Sequence, residues 1–132
     1  KLQVDLLCQD LFPDFKPFEF IISSDDVEFC KPNPYPYLKA INKSAINPSH
    51  SKVFEDSNPG IQTALEAKLP IIYVPSNIPT IINEEFKLNC ILDTLGDENN
   101  VANVIKGPKL KKKYVDYSFL SDYLMTLSNA KN

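Results

Sequence analysis

Apolar and polar positions along this chain change period several times, and the changes outline an alternation of helices and strands. Leu2, Leu6, Leu7 and Leu11 recur at helical spacing, which predicts an amphipathic packing helix over Leu2–Leu11. Pro13 and Pro17 break that pattern, and Phe18–Ser23 then reads as a buried strand. A second helix is expected over Pro34–Ala45, with Pro34 in its first turn and Tyr37, Leu38 and Ile41 on its apolar side. Ser51–Glu55 reads as the second strand. Asn58 and Pro59 form a cap and first-position pair for a helix running to about Ala67. Leu69–Val74, short, β-branched and bounded by Pro70 and Pro75, reads as the third strand.

Strands separated by helices of this length predict an α/β fold with a parallel, doubly wound sheet. Beyond Val74 the pattern predicts a short helix over Pro79–Phe86, an edge strand over Asn89–Leu92 and a helix over Glu98–Ile105, closed by Gly107-Pro108. Lys109–Lys113 is a basic run expected to be a solvated linker. Phe119, Leu120, Tyr123, Leu124 and Leu127 then place a docked terminal helix over Tyr117–Leu127. The organisation expected is a core over 1–107 followed by a linker and terminal helix over 108–132.

Composition narrows the possibilities. At 132 residues and 43% hydrophobic content the chain has the size and apolar content of one globular domain. A net charge of −3 with interspersed lysines and acids offers no basic surface for nucleic acid. The apolar runs are too short for a membrane span, and the first residues lack the layout of a signal peptide. Cys8, Cys30 and Cys90 are scattered, as expected of reduced thiols in the cytoplasm, or in a plastid. His50 is the single histidine, so the spacing of a zinc site is absent.

The chemistry concentrates in Val53-Phe54-Glu55-Asp56-Ser57-Asn58-Pro59-Gly60-Ile61, where an apolar strand runs into two acids and then a helix start. That order puts carboxylates at the carboxyl end of a strand, where open α/β sheets bind ligands. Two carboxylates about 5 Å apart would repel by roughly 3 kcal/mol at an effective dielectric near 20. A divalent cation removes that cost, which makes Asp56 and Glu55 candidate Mg²⁺ ligands. Strand alternation would point the two apart unless the strand bends, so Glu55 is either a direct ligand or the holder of a metal-bound water. An acidic first helical turn is the plainer alternative. Ser57 and Asn58 suit turn and cap roles with a supporting part around the metal, and Gly60 lets the backbone pass close beneath.

Taken with Asp25-Asp26-Val27-Glu28-Phe29-Cys30-Lys31-Pro32 before it, this segment resembles the haloacid dehalogenase superfamily of aspartate-dependent phosphotransferases. The nearest branch in appearance is the CbbY and β-phosphoglucomutase group, and the resemblance runs from about residue 2 to about residue 74. It implies an incomplete Rossmann-like α/β/α core and Mg²⁺-dependent hydrolysis of small phosphorylated sugars through an aspartyl-phosphate. It implies further that Lys31 contacts the phosphoryl group, that Asp56 binds the metal, and that Asp25 and Asp26 are structural or supporting. Two positions depart from the pattern: Cys30 and Lys68 stand where glycine is usual. A left-handed Lys68 would cost roughly 1–2 kcal/mol relative to glycine.

The superfamily's Asp-x-Asp-x-Thr/Val nucleophile motif occurs nowhere in these residues. The expectation is therefore a C-terminal portion of a larger enzyme, lacking nucleophile, phosphate-binding hydroxyl and helical cap, and inactive alone. The alternatives are a β-phosphoglucomutase-like mutase, a non-catalytic α/β binding module, and a flavodoxin- or response-regulator-like domain. The order of Lys-Pro before Glu-Asp-Ser counts against the last.

Overall fold

A computed structural model describes residues 2–77 and 81–129. Its four-stranded sheet has the order β1 (Val53–Glu55), β2 (Ile71–Tyr73), β3 (Ile91–Leu92), β4 (Val104–Lys106). β1, β2 and β3 run parallel, with Val53 opposite Ile71 and Tyr73 opposite Ile91, and β4 closes the sheet antiparallel to β3. The helices are α1 (Leu2–Leu11), α2 (Tyr35–Ser44), α3 (Asn58–Glu66) and α4 (Tyr117–Asn129). α3 forms the crossover that a parallel β1–β2 pair requires.

Strand alternation divides the core between two faces of the sheet. Val53, Ile71 and Tyr73 face α3 through Ile61 and Ala64, with Tyr37 and Ile41 of α2 packed against them. Ile72, Cys90 and Leu92 turn the other way onto Phe119 and Tyr123 of α4. The result is the expected α/β/α layering. The Tyr123 hydroxyl donates to the Ile71 carbonyl at 2.8 Å, so the buried phenol is satisfied and α4 is tied to the sheet.

Several expected elements take a different form. Phe18–Ser23 is no strand, because no neighbouring strand among the described residues offers its backbone a hydrogen-bonding ladder. α1 has the expected bounds, but Leu6, Leu7 and Leu11 stay exposed, since the turn and bends after it provide no sheet to pack on. Leu38 is also exposed, leaving Tyr37 and Ile41 as the packing face of α2. The expected helix over Glu98–Ile105 is a turn leading into β4. There the Asp97 carboxylate accepts from the backbone N–H groups of Asn99 (2.7 Å) and Asn100 (2.8 Å), a local alternative to helical bonding. Asp93 then holds Asn103 through its backbone N–H (2.7 Å) and side-chain amide (2.6 Å), which sets β4 beside β3. β3 is consequently an interior strand and not an edge.

Of the helix expected over Pro79–Phe86, Pro79 and Thr80 lie outside the described residues, and residues 81–86 hold only a turn. There Asn83 accepts from the Glu85 N–H at 3.1 Å. The basic run is exposed but tethered: Lys111 pairs with Asp122 at 2.7 Å, Lys112 with Asp116 at 3.3 Å, and the Lys113 carbonyl accepts from Ala102 at 2.7 Å. Lys68 does adopt the left-handed conformation, with φ +57° just past the end of α3.

Candidate active site

β1 ends at Glu55, and its alternation decides where the acids go. Val53 and Glu55 face inward, whereas Phe54 and Asp56 are exposed. Glu55 is 6% exposed, a buried carboxylate that needs partners to stay charged. It has them on three sides. Its Oε1 receives the Lys31 ammonium and the Tyr37 hydroxyl, and Ser57 Oγ lies 3.4 Å from its Oε2.

α3 begins directly beneath this carboxylate. Ser57, rather than Asn58, is the N-cap: its Oγ accepts from the Gly60 N–H at 3.3 Å. The first turn of a helix favours a nearby negative charge. Gly60 leaves the space Glu55 occupies, for a Cβ there would sit 1.7 Å from Glu55 Oε2. Asn58 turns away to a different task. Its amide donates to the Ile81 carbonyl at 2.9 Å and accepts from the Asn83 N–H at 3.0 Å, which ties the loop after β2 to the start of α3.

Lys31 comes from the loop between the 3-10 turn Ser24–Asp26 and α2, and its peptide to Pro32 is cis. Its Nζ lies over the Tyr37 ring, 5.2 Å from the centroid. Burial first, then the hydrogen bond and charge of Glu55, push the Tyr37 phenol well above the ordinary tyrosine range. Asp26 sits apart in that 3-10 turn, accepting from the Ser23 N–H (3.0 Å) and hydroxyl (2.9 Å), while Lys39 donates to its carbonyl.

The structure thus gathers Lys31, Glu55, Ser57 and Gly60 in one place, with Asp56 exposed just beyond. Asp26 and Asn58 serve the neighbouring backbone. Tyr37 was legible only as a core-facing residue of α2, although a tyrosine at such a position signals that its hydroxyl meets a polar partner. No group of three or more His, Cys, Asp or Glu side chains suited to a metal occurs among the described residues. The donors present fit a hard, water-rich cation: Asp56 offers an exposed carboxylate, and Mg²⁺ takes one or two carboxylates while keeping several waters. Ser57 is engaged with Glu55 and Gly60, and Asn58 with Ile81 and Asn83. No helix among the described residues is long and apolar enough to cross a membrane.

Residues 12–74 match the family model described as haloacid dehalogenase-like hydrolase, a span containing Lys31, Tyr37, Glu55, Asp56 and Gly60. "Putative phosphatase YhcW" of Bacillus subtilis is 33% identical in an alignment covering 64% of this chain and 44% of that protein. "Protein CbbY" of Rhodobacter capsulatus is 37% identical over 45% of this chain and 26% of its own length. An uncharacterized protein of Haemophilus influenzae is 39% identical over 43% of this chain and 28% of its own. The chain therefore spans less than half the length of these curated relatives.

Proposed function

We propose, from the match of residues 12–74 to the haloacid dehalogenase-like hydrolases, that this chain provides the lysine and metal-binding side of a Mg²⁺-dependent phosphatase for small phosphorylated sugars. The observation that supports this most directly is the Lys31–Glu55 pair, held at the carboxyl end of β1 beside an exposed Asp56. Phosphoryl transfer depends chiefly on positioning and on neutralising the oxygens of the transferred group. Lys31, 42% exposed at its side chain, has its ammonium oriented by the buried Glu55 and still accessible to an anionic substrate. Glu55 does not meet the substrate in this reading; it orients the lysine and accepts its charge between turnovers. Asp56 would hold Mg²⁺, which when bound supplies further charge neutralisation at the phosphoryl oxygens.

These 132 residues contain no Asp-x-Asp pair, so in this reading the attacking aspartate comes from residues outside them, and the chain alone does not turn over a phosphate ester. The test is phosphate release by the complete gene product from a panel of hexose and pentose phosphates, with Mg²⁺ and with chelator. Activity is expected only with the metal. Lys31→Ala is expected to lower kcat by about 10²–10³, the usual cost of one preorganised charge-stabilising donor. Wild-type turnover in both Lys31→Ala and Asp56→Asn would overturn the assignment.

A further inference from the structure

Lysine is a flexible residue, and a half-exposed ion pair orients it only weakly. Here the pair has a third member. Tyr37 touches both partners at once: its ring lies under the Lys31 ammonium, and its hydroxyl donates to the same Glu55 oxygen that receives Lys31. α2 makes Tyr37 rigid, because Tyr37 and Ile41 stand one turn apart against the core formed by Val53, Ile61 and Ile71. On the opposite side, Gly60 and Ser57 confine the carboxylate.

We propose that Tyr37 is a positioning residue that sets the orientation of Lys31 by locking the Glu55 carboxylate between α2 and the start of α3. This deepens the phosphoryl-transfer reading and rests on it for its functional consequence. Without the hydroxyl, Glu55 Oε1 keeps Lys31 as its one strong partner, and carboxylate and ammonium swing together towards solvent. The ring alone does not prevent this, since a face-on aromatic attracts the ammonium without fixing a torsion.

The test is competitive acylation of the complete gene product with limiting acetic anhydride, scoring each lysine by mass spectrometry with Lys68 as internal reference. Tyr37→Phe keeps the ring and the packing while removing one oxygen. Lys31 is expected to react about two- to tenfold faster in that variant, the range one net hydrogen bond represents. Glu55→Gln is expected to free Lys31 as well. An unchanged Lys31 ratio in Tyr37→Phe, with a raised one in Glu55→Gln, would reduce Tyr37 to packing and overturn the proposal. Unchanged ratios in both variants would overturn it too, by removing the ion pair itself.

A second measurement does not depend on Tyr37→Phe folding well. A crystal structure of the wild-type product should place the Tyr37 hydroxyl and the Lys31 ammonium on the same Glu55 oxygen. A Tyr37 hydroxyl bonded to another acceptor, with Lys31 still on Glu55, would again count against the arrangement. In the phosphatase assay Tyr37→Phe should lower kcat with little change in KM. If the complete product releases no phosphate while Lys31 reactivity still responds to Tyr37→Phe, the positioning role stands and the phosphatase reading alone falls.

Discussion

Gly60→Ala converts the packing around Glu55 into a measurable quantity. Gly60 lies inside α3 without a positive φ, so on helix propensity alone alanine would stabilise by roughly 0.8–1 kcal/mol. The surroundings reverse that sign. The new Cβ would lie 1.7 Å from Glu55 Oε2, 2.1 Å from Cδ and 2.5 Å from Oε1, so the carboxylate must leave its place. Overpacking of this kind costs about 1–3 kcal/mol. Moving Glu55 also strips the half-buried Tyr37 hydroxyl of its acceptor, at about 1–3 kcal/mol more. The net expectation is destabilisation of about 1–5 kcal/mol, or roughly 4–20 °C in Tm for a chain of this size.

Thermal and urea denaturation of Gly60→Ala, Glu55→Ala and the double variant supply the cycle. Because the clash exists only while Glu55 is present, the double variant should be less destabilised than the sum of the two single ones. Stabilisation by Gly60→Ala, or strict additivity in the cycle, would refute the placement of Glu55 over α3.

Two further outcomes follow from local geometry. Lys68→Gly should stabilise by about 1 kcal/mol, because glycine adopts the observed φ of +57° without Cβ crowding; equal or lower stability in urea would contradict this. Asp116 is held down to about 2, chiefly by the Ser118 hydroxyl and the Phe119 N–H and then by Lys112. A depressed carboxyl stabilises the fold fully above its ordinary value of 3.8 and loses that contribution as pH falls towards about 2. α4 should therefore loosen across that interval, followed by near-UV dichroism of the buried Tyr123. Asp116→Asn should flatten the response, and an unaltered profile in that variant would assign the acid lability elsewhere.

Much of this protein was determined by short-range sequence alone. The Ser57–Pro59 helix start, the β-branched run of β2 and the apolar spacing of α4 are local signals, each set by backbone preference and by which face must leave water. Lys31, Asp56 and Gly60 could likewise be singled out from motif and order along the chain. Other features depend on partners distant in sequence. Phe18–Ser23 has the composition of a strand, but a strand exists only where another edge takes up its backbone bonds. α1 has its periodicity, yet its leucines remain in solvent for want of a surface beside them. Val104–Lys106 became β4 because Asp93 and Asp97 engage nearby N–H groups in ways that no periodicity displays. Tertiary structure also separated the roles of the adjacent acids. Alternation turned Glu55 inward and Asp56 out, but only the arrival of α2 and the loop before it put the Tyr37 hydroxyl and the Lys31 ammonium on one oxygen of Glu55. A buried carboxylate needs compensating donors, and those donors come from residues 18 and 24 positions away.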